Sequence, residues 1–115
     1  MRKKVKGRIL SREKGQRDAL LNSLARGIVL NGKIKTTEAK AKEVSRFFDK
    51  QITIAKGQDL HARRNLMKNF SPDVAKKMVE ELAVKYKDRS GGYTRITKVG
   101  PRKTDGAKMA FIELV

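Results

Sequence analysis

The chain has 115 residues, and its 29 lysine and arginine residues outnumber 12 acidic residues, which gives a formal net charge of +17. This length predicts one domain, and such a charge predicts a polyanionic partner, with nucleic acid as the first candidate and an anionic membrane surface as the second. The absence of cysteine excludes disulfides and thiolate metal sites and fits a cytoplasmic protein, while no apolar run reaches the ~20 residues of a spanning helix, so we expect no membrane partner.

Residues 1–14, MRKKVKGRILSREK, hold seven cations and one acid. A segment with so few apolar side chains cannot bury enough surface to order itself alone. Charge-assisted bonds to phosphate, at ~1.5–3 kcal/mol each, can offset much of the cost of ordering it. We therefore predict a basic RNA-binding extension over 1–14 and a single α+β domain over 15–115. An extension that only improves solubility is the alternative.

The first helix is predicted from Lys14 to Leu30, and Asn31-Gly32 provides its stop signal. One apolar stripe at helical spacing comprises Leu21, Leu24, Ala25 and Ile28. The sequence KIKT over 33–36 then predicts a short strand.

The second helix is predicted to begin at a cap formed by Thr36 or Thr37 and to end at Gly57. Its core face is predicted to comprise Ala41, Val44, Phe48, Ile52 and Ala55. Because helix N-termini attract anions, the threonine hydroxyls with Lys35 and Lys40 suggest a phosphate site. An ordinary capped helix with solvated lysines explains the same residues equally well.

A third, shorter helix is predicted over about 60–69, and Ser71-Pro72-Asp73 has the pattern that starts a fourth. The third helix is expected to be anchored by Leu66, Met67 and Phe70. The fourth is expected to bury Ala75, Met78, Val79, Leu82 and Tyr86.

Two strands are predicted to close the chain, near Tyr93–Val99 and Met109–Val115. In the last strand Ala110, Ile112 and Leu114 alternate with the residues of the other face. The predicted fold class is therefore α+β in two layers: helix, short strand, three helices and two strands, on a small and mostly antiparallel sheet.

The sequence offers no convincing active site. It has one histidine, His61, and Glu80 and Glu81 are adjacent on a helix, so their carboxylates point in different directions. Gly91-Gly92 fits no nucleotide-binding loop, and no spacing fits a zinc or calcium site. We predict no catalysis, no cofactor, no metal and no small-molecule substrate; a small RNA-processing enzyme dependent on His61 is the least favoured class.

The cations are spread over the extension, the loop before the second helix, the Arg63-Arg64 pair and the C-terminal hairpin. Dispersed charge with only 5% aromatic residues is typical of binding to folded RNA through phosphates and shape. The runner-up is a DNA-architectural protein that uses the C-terminal hairpin as a basic arm. Arg102 and Lys103, which follow Pro101 in the hairpin loop, are candidate contacts in either case.

Three motifs in order, IKTTEAKAKE, RSGGYTRI and MAFIELV, resemble the bacterial-type ribosomal large-subunit protein seventeen family, as do RDALLNSLARGIVLNGKIKTT and ITIAKG. The resemblance implies a structural constituent of the large ribosomal subunit that binds its ribosomal RNA near the nascent-chain exit tunnel, beside neighbouring large-subunit proteins. This chain departs from the family pattern at two places where that pattern has histidines, and it has Arg2-Lys3-Lys4 and Gln16-Arg17 there.

The resemblance also implies the RNA-facing residues. By position these are Arg2, Lys3, Lys4, Arg8, Arg12, Arg17, Lys35, Thr36, Thr37, Lys40, Arg63, Arg64, Gly91, Gly92, Tyr93, Thr94 and Arg95. In the glycine–tyrosine segment, alternation predicts that Tyr93 and Arg95 face outward together and that Thr94 and Ile96 face inward. Glycines that merely close a turn are the alternative.

Overall fold

Residues 14–115, the part of the chain that this computed structural model describes, form four helices and three strands. The elements are α1 (Lys14–Asn31), β1 (Lys33–Thr37), α2 (Glu38–Ala55), α3 (Leu60–Leu66), α4 (72–85), β2 (Thr94–Pro101) and β3 (Lys108–Leu114). Helix α4 comprises an α-helical start (Pro72–Lys77), a π-helical turn (Met78–Leu82) and a final α-helical turn (Ala83–Lys85). The predicted α+β class and order of elements are confirmed.

The sheet is antiparallel, with strand order β1-β3-β2. The register aligns Ile34, Ile112 and Ile96 in one row across the three strands. Ala110 and Ile112 of the central strand are fully buried beneath the helices, as the alternation in the sequence predicts. The opposite side of the sheet carries no helix of residues 14–115, and we call it the open face.

Helix α2 lies at the centre of the hydrophobic core. All five residues of its predicted apolar stripe have 0% exposure, and the predicted stripe of α4 is also buried. In α1 only Ala25 and Ile28 of the predicted stripe are fully buried, while Leu21 and Leu24 pack at the edge of the core. The core therefore forms where apolar side chains recur on one side of each helix.

The prediction of Met67 as a core anchor is wrong. Helix α3 ends at Leu66, and the amides of Lys68 and Asn69 bond back to carbonyls three residues earlier. This tightening of the chain leaves Met67 44% exposed, whereas Leu66 and Phe70 are buried.

The helix starts show which capping signals act. Thr37 is the N-cap of α2, and its hydroxyl accepts a bond from the amide of Lys40 at 3.4 Å. Asp59, which the sequence analysis did not single out as a cap, accepts from the amide of Ala62 at 2.7 Å and starts α3. Ser71 occupies the N-cap position of α4, but its side chain makes no capping bond, so the start of α4 depends on Pro72 and its packing.

Candidate nucleic-acid interface

The predicted contacts of the extension, Arg2, Lys3, Lys4, Arg8 and Arg12, lie outside the described residues and stay predictions. Arg17 lies in the first turns of α1 and is partly exposed.

The residues at the start of α2 are engaged in the fold. Thr36 is only 7% exposed, and the Thr37 hydroxyl is used as the cap. The Glu38 carboxylate already lies in the first turn, where it interacts favourably with the helix dipole. Lys35, one residue before the buried Thr36, projects to the open face. These contacts favour the ordinary capped helix over a phosphate site made by both hydroxyls.

The glycine–tyrosine segment forms a tightly bonded turn before β2. Gly92 has φ +63°, a conformation that residues with a side chain rarely adopt. This agrees with the prediction that a glycine here allows an unusual backbone angle. The Arg89 guanidinium donates through Nε to the carbonyl oxygens of Gly91 and Gly92, each at 3.1 Å. These bonds hold the two glycine carbonyls against the Arg89 side chain.

The prediction that Tyr93 presents its ring outward is wrong, because Tyr93 is 1% exposed. Its ring packs on that of Tyr86 with 5.2 Å between centroids, and its hydroxyl donates to the Arg89 carbonyl at 3.0 Å. The Tyr93 amide bonds to the Asp49 carboxylate on α2 at 3.4 Å. Tyr93 therefore precedes the strand and anchors it to the helices, and the Cα alternation of β2 does not apply to it.

Residues Thr94 and Arg95 do follow the predicted alternation. The Thr94 hydroxyl lies 3.0 Å from that of Ser45 on α2, on the inner side of the sheet. Arg95 is exposed on the open face, where its guanidinium donates two bonds to Oε1 of Glu113, at 3.2 and 3.0 Å. Thus the outward prediction is confirmed for Arg95.

The centre of the open face is Phe111, which the sequence analysis did not select. The Lys33 ammonium lies 4.3 Å from the ring centroid, and that of Lys35 lies 5.9 Å from it. Both distances are in the range of cation–π interactions. The alternation within KMAFIEL already placed Phe111 opposite the buried Ala110 and Ile112, and this was the available signal.

The loop of the β2–β3 hairpin is closed by Arg102. Its guanidinium donates to both carboxylate oxygens of Asp105, at 2.9 and 2.6 Å, and its amide donates to the Ala107 carbonyl at 2.7 Å. The hydrogen bond from Arg102 holds the pKa of Asp105 well below its usual range, and the same bond raises the pKa of Arg102. The predicted contact Arg102 is thus paired within its loop, while Lys103 beside it is exposed.

The two predicted arginines of α3 differ in their surroundings. Arg63 forms an exposed ion pair with Glu80 of α4 at 3.0 Å, and Arg64 projects into solvent. The ring of His61 is also exposed, with Nε2 3.2 Å from the Asn65 amide nitrogen. The hydrogen-bond partner of the His61 ring is thus an amide and not an activating carboxylate.

Residues 14–115 hold neither a metal-binding cluster nor a membrane-spanning helix. No cluster of three or more histidine, cysteine or acidic side chains in this part of the chain has a geometry that could hold a metal ion. Within the same residues, no helix combines the length and the apolar character needed to cross a membrane.

Comparison with known proteins identifies similar chains. Residues 20–115 match the family described as ribosomal protein L17. The large ribosomal subunit protein bL17 of Thermoanaerobacter sp. (strain X514) is 50% identical over 109 residues, which cover 94% of this chain and 97% of that protein. The bL17 proteins of Halalkalibacterium halodurans and Clostridium botulinum (strain Hall) are 47% and 48% identical, over 92% and 94% of this chain and 96% of each relative.

Proposed function

Because this chain belongs to the ribosomal protein L17 family, we propose that it is a structural constituent of the large ribosomal subunit in the cytoplasm. Its family is one of ribosomal proteins, and the chain is accordingly not an enzyme. We further propose that it binds large-subunit ribosomal RNA through phosphate and shape contacts, near the nascent-chain exit tunnel and beside other large-subunit proteins.

The similarity over nearly the full length of the named relatives is the observation that carries this proposal. The charge supports it independently, since +17 on 115 residues repels itself and favours a polyanionic partner. The similarity to ribosomal proteins and the high positive charge both support a protein that is held in place by RNA. For its organisation we propose the RNA-binding extension over 1–14 and the domain over 15–115.

Two surfaces of the described domain fit phosphate contacts. The first is the open face with the hairpin loop, where Lys33, Lys35 and Lys103 are exposed. The second is the exposed side of α3, which carries Arg64. Both contain arginine–carboxylate pairs at the surface, and such pairs contribute only about 0–1 kcal/mol, so phosphate can replace the carboxylate at small cost.

Sedimentation of a cell lysate tests the main proposal. In low-salt buffer with magnesium, we expect the chain in the large-subunit fractions of a sucrose gradient. A chain that stays at the top of the gradient contradicts the proposal. Comparable affinity for duplex DNA and for large-subunit RNA at physiological salt would favour a DNA-architectural role instead.

Site-directed cleavage locates the bound RNA. Because the chain has no cysteine, one introduced cysteine can carry an iron chelate that generates hydroxyl radicals. Lys103→Cys places it at the hairpin loop, and Val84→Cys places it on an exposed position of α4. We expect strong cuts in large-subunit RNA from Lys103→Cys, at nucleotides that line the tunnel exit. Cuts confined to RNA far from the exit contradict the proposed location.

A further inference from the structure

A pocket of about 280 Å³ lies at the hairpin end of the open face. Strands β2 and β3 change register between Lys98 and Gly100, which forms a bulge that carries Val99. Gly100 is paired with Met109 and has φ +106°, and a Cβ at this glycine would meet no atom within 4 Å. The pocket therefore lies beside a paired position that has no side chain.

The lining of the pocket combines apolar walls with a cationic rim. Val99, Pro101 and Met109 supply the apolar surface, and the cations at the rim are Lys35, Arg102 and Lys103. Val99 is 47% exposed, although Ile96 of the same strand packs against the core. An exposed apolar wall beside cations suits a ligand that has a flat apolar part and a negative charge.

The charged and aromatic residues around the pocket determine which side chains can contact a ligand there. Arg102 is neutralised by its two bonds to Asp105, so Lys35 and Lys103 provide the net positive charge of the rim. The ring of Phe111 is covered by the Lys33 ammonium at 4.3 Å. One lysine ammonium thus lies over the Phe111 ring, whereas Met109 lines the pocket.

We propose that this pocket receives one unpaired nucleobase of RNA, with the base against Met109, Val99 and Pro101 and its adjoining phosphates at Lys35 and Lys103. This inference deepens the proposed function and rests on it. Unpaired bases are the parts of folded RNA that insert into protein pockets. A methionine sulfur makes favourable contacts with an aromatic ring, and about 280 Å³ is close to the ~300 Å³ lower limit of small-ligand pockets.

The apolar lining distinguishes this site from a simple phosphate site. A phosphate alone gains nothing from three apolar walls, because it is best held by cations and amide donors. An apolar protein side chain would leave the cationic rim unused. A nucleotide uses both parts of the pocket.

Methyl NMR of the full chain tests the inference, since the sequence contains only four methionines. Met109 reports on the pocket, Met67 at 44% exposure on the general surface, and Met78 at 0% on the core. The chain is labelled with methyl-13C methionine, and the ligand added to it is a short single-stranded oligoadenylate. The control ligand is an oligomer with the same ribose–phosphate backbone and no bases. The Met109→Leu spectrum assigns the Met109 signal by its loss.

We expect the base-containing oligomer to shift the Met109 resonance by its ring current while Met78 in the core stays unchanged. The abasic oligomer is expected to bind without this shift. Met109→Gln should weaken binding of the oligoadenylate several-fold and leave abasic binding unchanged, whereas Met109→Leu, which keeps the apolar wall and loses only the sulfur, should weaken it less than Met109→Gln does. An unchanged Met78 resonance in Met109→Gln shows that the core is intact.

Two results overturn the inference alone: an oligoadenylate that binds without moving Met109, or an abasic oligomer that moves it equally. A chain that binds neither oligomer nor large-subunit RNA overturns the proposed function as well. Fluorescence anisotropy of the labelled oligomers, measured in the same buffer, distinguishes these two failures.

Discussion

The substitution Tyr93→Phe separates an anchoring role of Tyr93 from contact with RNA. It removes the hydroxyl that donates to the Arg89 carbonyl at 3.0 Å and that lies 3.3 Å from the Lys56 ammonium. The Arg89 carbonyl keeps its bond from Lys56 at 2.6 Å, so no acceptor is left unpaired. One lost hydrogen bond of this kind costs about 0.5–1.5 kcal/mol. We therefore expect urea unfolding to show a loss of about 1 kcal/mol, with unchanged affinity for large-subunit RNA.

Removal of the Tyr93 ring should lower stability more than removal of its hydroxyl. Tyr93→Ala also removes the ring that packs on Tyr86 and is 1% exposed, and truncations of buried aromatic residues cost ~3–5 kcal/mol. That loss is a large part of the ~5–15 kcal/mol that stabilises a typical domain. The matched control is Tyr86→Phe, which removes the hydroxyl bond to the Val115 carbonyl at 3.0 Å. If Tyr93→Phe weakened RNA binding at unchanged stability while Tyr86→Phe did not, the burial argument would be refuted.

Three further predictions concern the turn, the hairpin loop and α3. Gly92→Val forces φ +63° on a β-branched residue and should cost ~1–3 kcal/mol in unfolding and reduce incorporation into large subunits, whereas Gly91→Ala, which meets no atom within 4 Å, should do neither. In NMR titrations the Asp105 carboxylate should protonate below its usual pH range, and Arg102→Gln should bring the pKa of Asp105 back toward 3.8. Because the folded-state pKa of Asp105 is lowered, the contribution of this pair to stability is present above about pH 4 and is lost as the pH falls. Arg64→Gln should reduce the slope of log affinity against log salt by ~0.7–0.9 if Arg64 contacts one phosphate.

The helices and the sheet could be predicted because their signals are local. A stripe such as Ala41, Val44 and Phe48 recurs every three or four residues, and only one side of α2 can then face the core. The prediction that Met67 is a core anchor failed because the end of α3 is set by backbone bonds of Lys68 and Asn69, which no side-chain pattern indicates. Periodicity gives the buried side of a helix reliably and its last turn poorly.

The candidate site was harder to predict because its geometry depends on distant partners. Tyr93 was assigned to the strand by alternation, but its amide bonds to Asp49, 44 residues away, and this contact removes it from the strand pattern. The pairing of Arg95 with Glu113 likewise depends on the register of two strands. Only the Arg102–Asp105 pair, three residues apart in a loop, was within reach of local reasoning.

The paired arginines affect how the charge of this domain would contribute to the proposed RNA binding. Arg63, Arg95 and Arg102 each contact a carboxylate, so each is partly neutralised and held in one position before RNA arrives. A phosphate that replaces the carboxylate gains a positioned guanidinium with less loss of side-chain entropy than a mobile lysine requires. The displaced acid then lies close to the RNA, and its repulsion limits the gain. For the proposed RNA complex we therefore expect surface lysines to supply most of the attraction and the paired arginines to favour one orientation of the RNA.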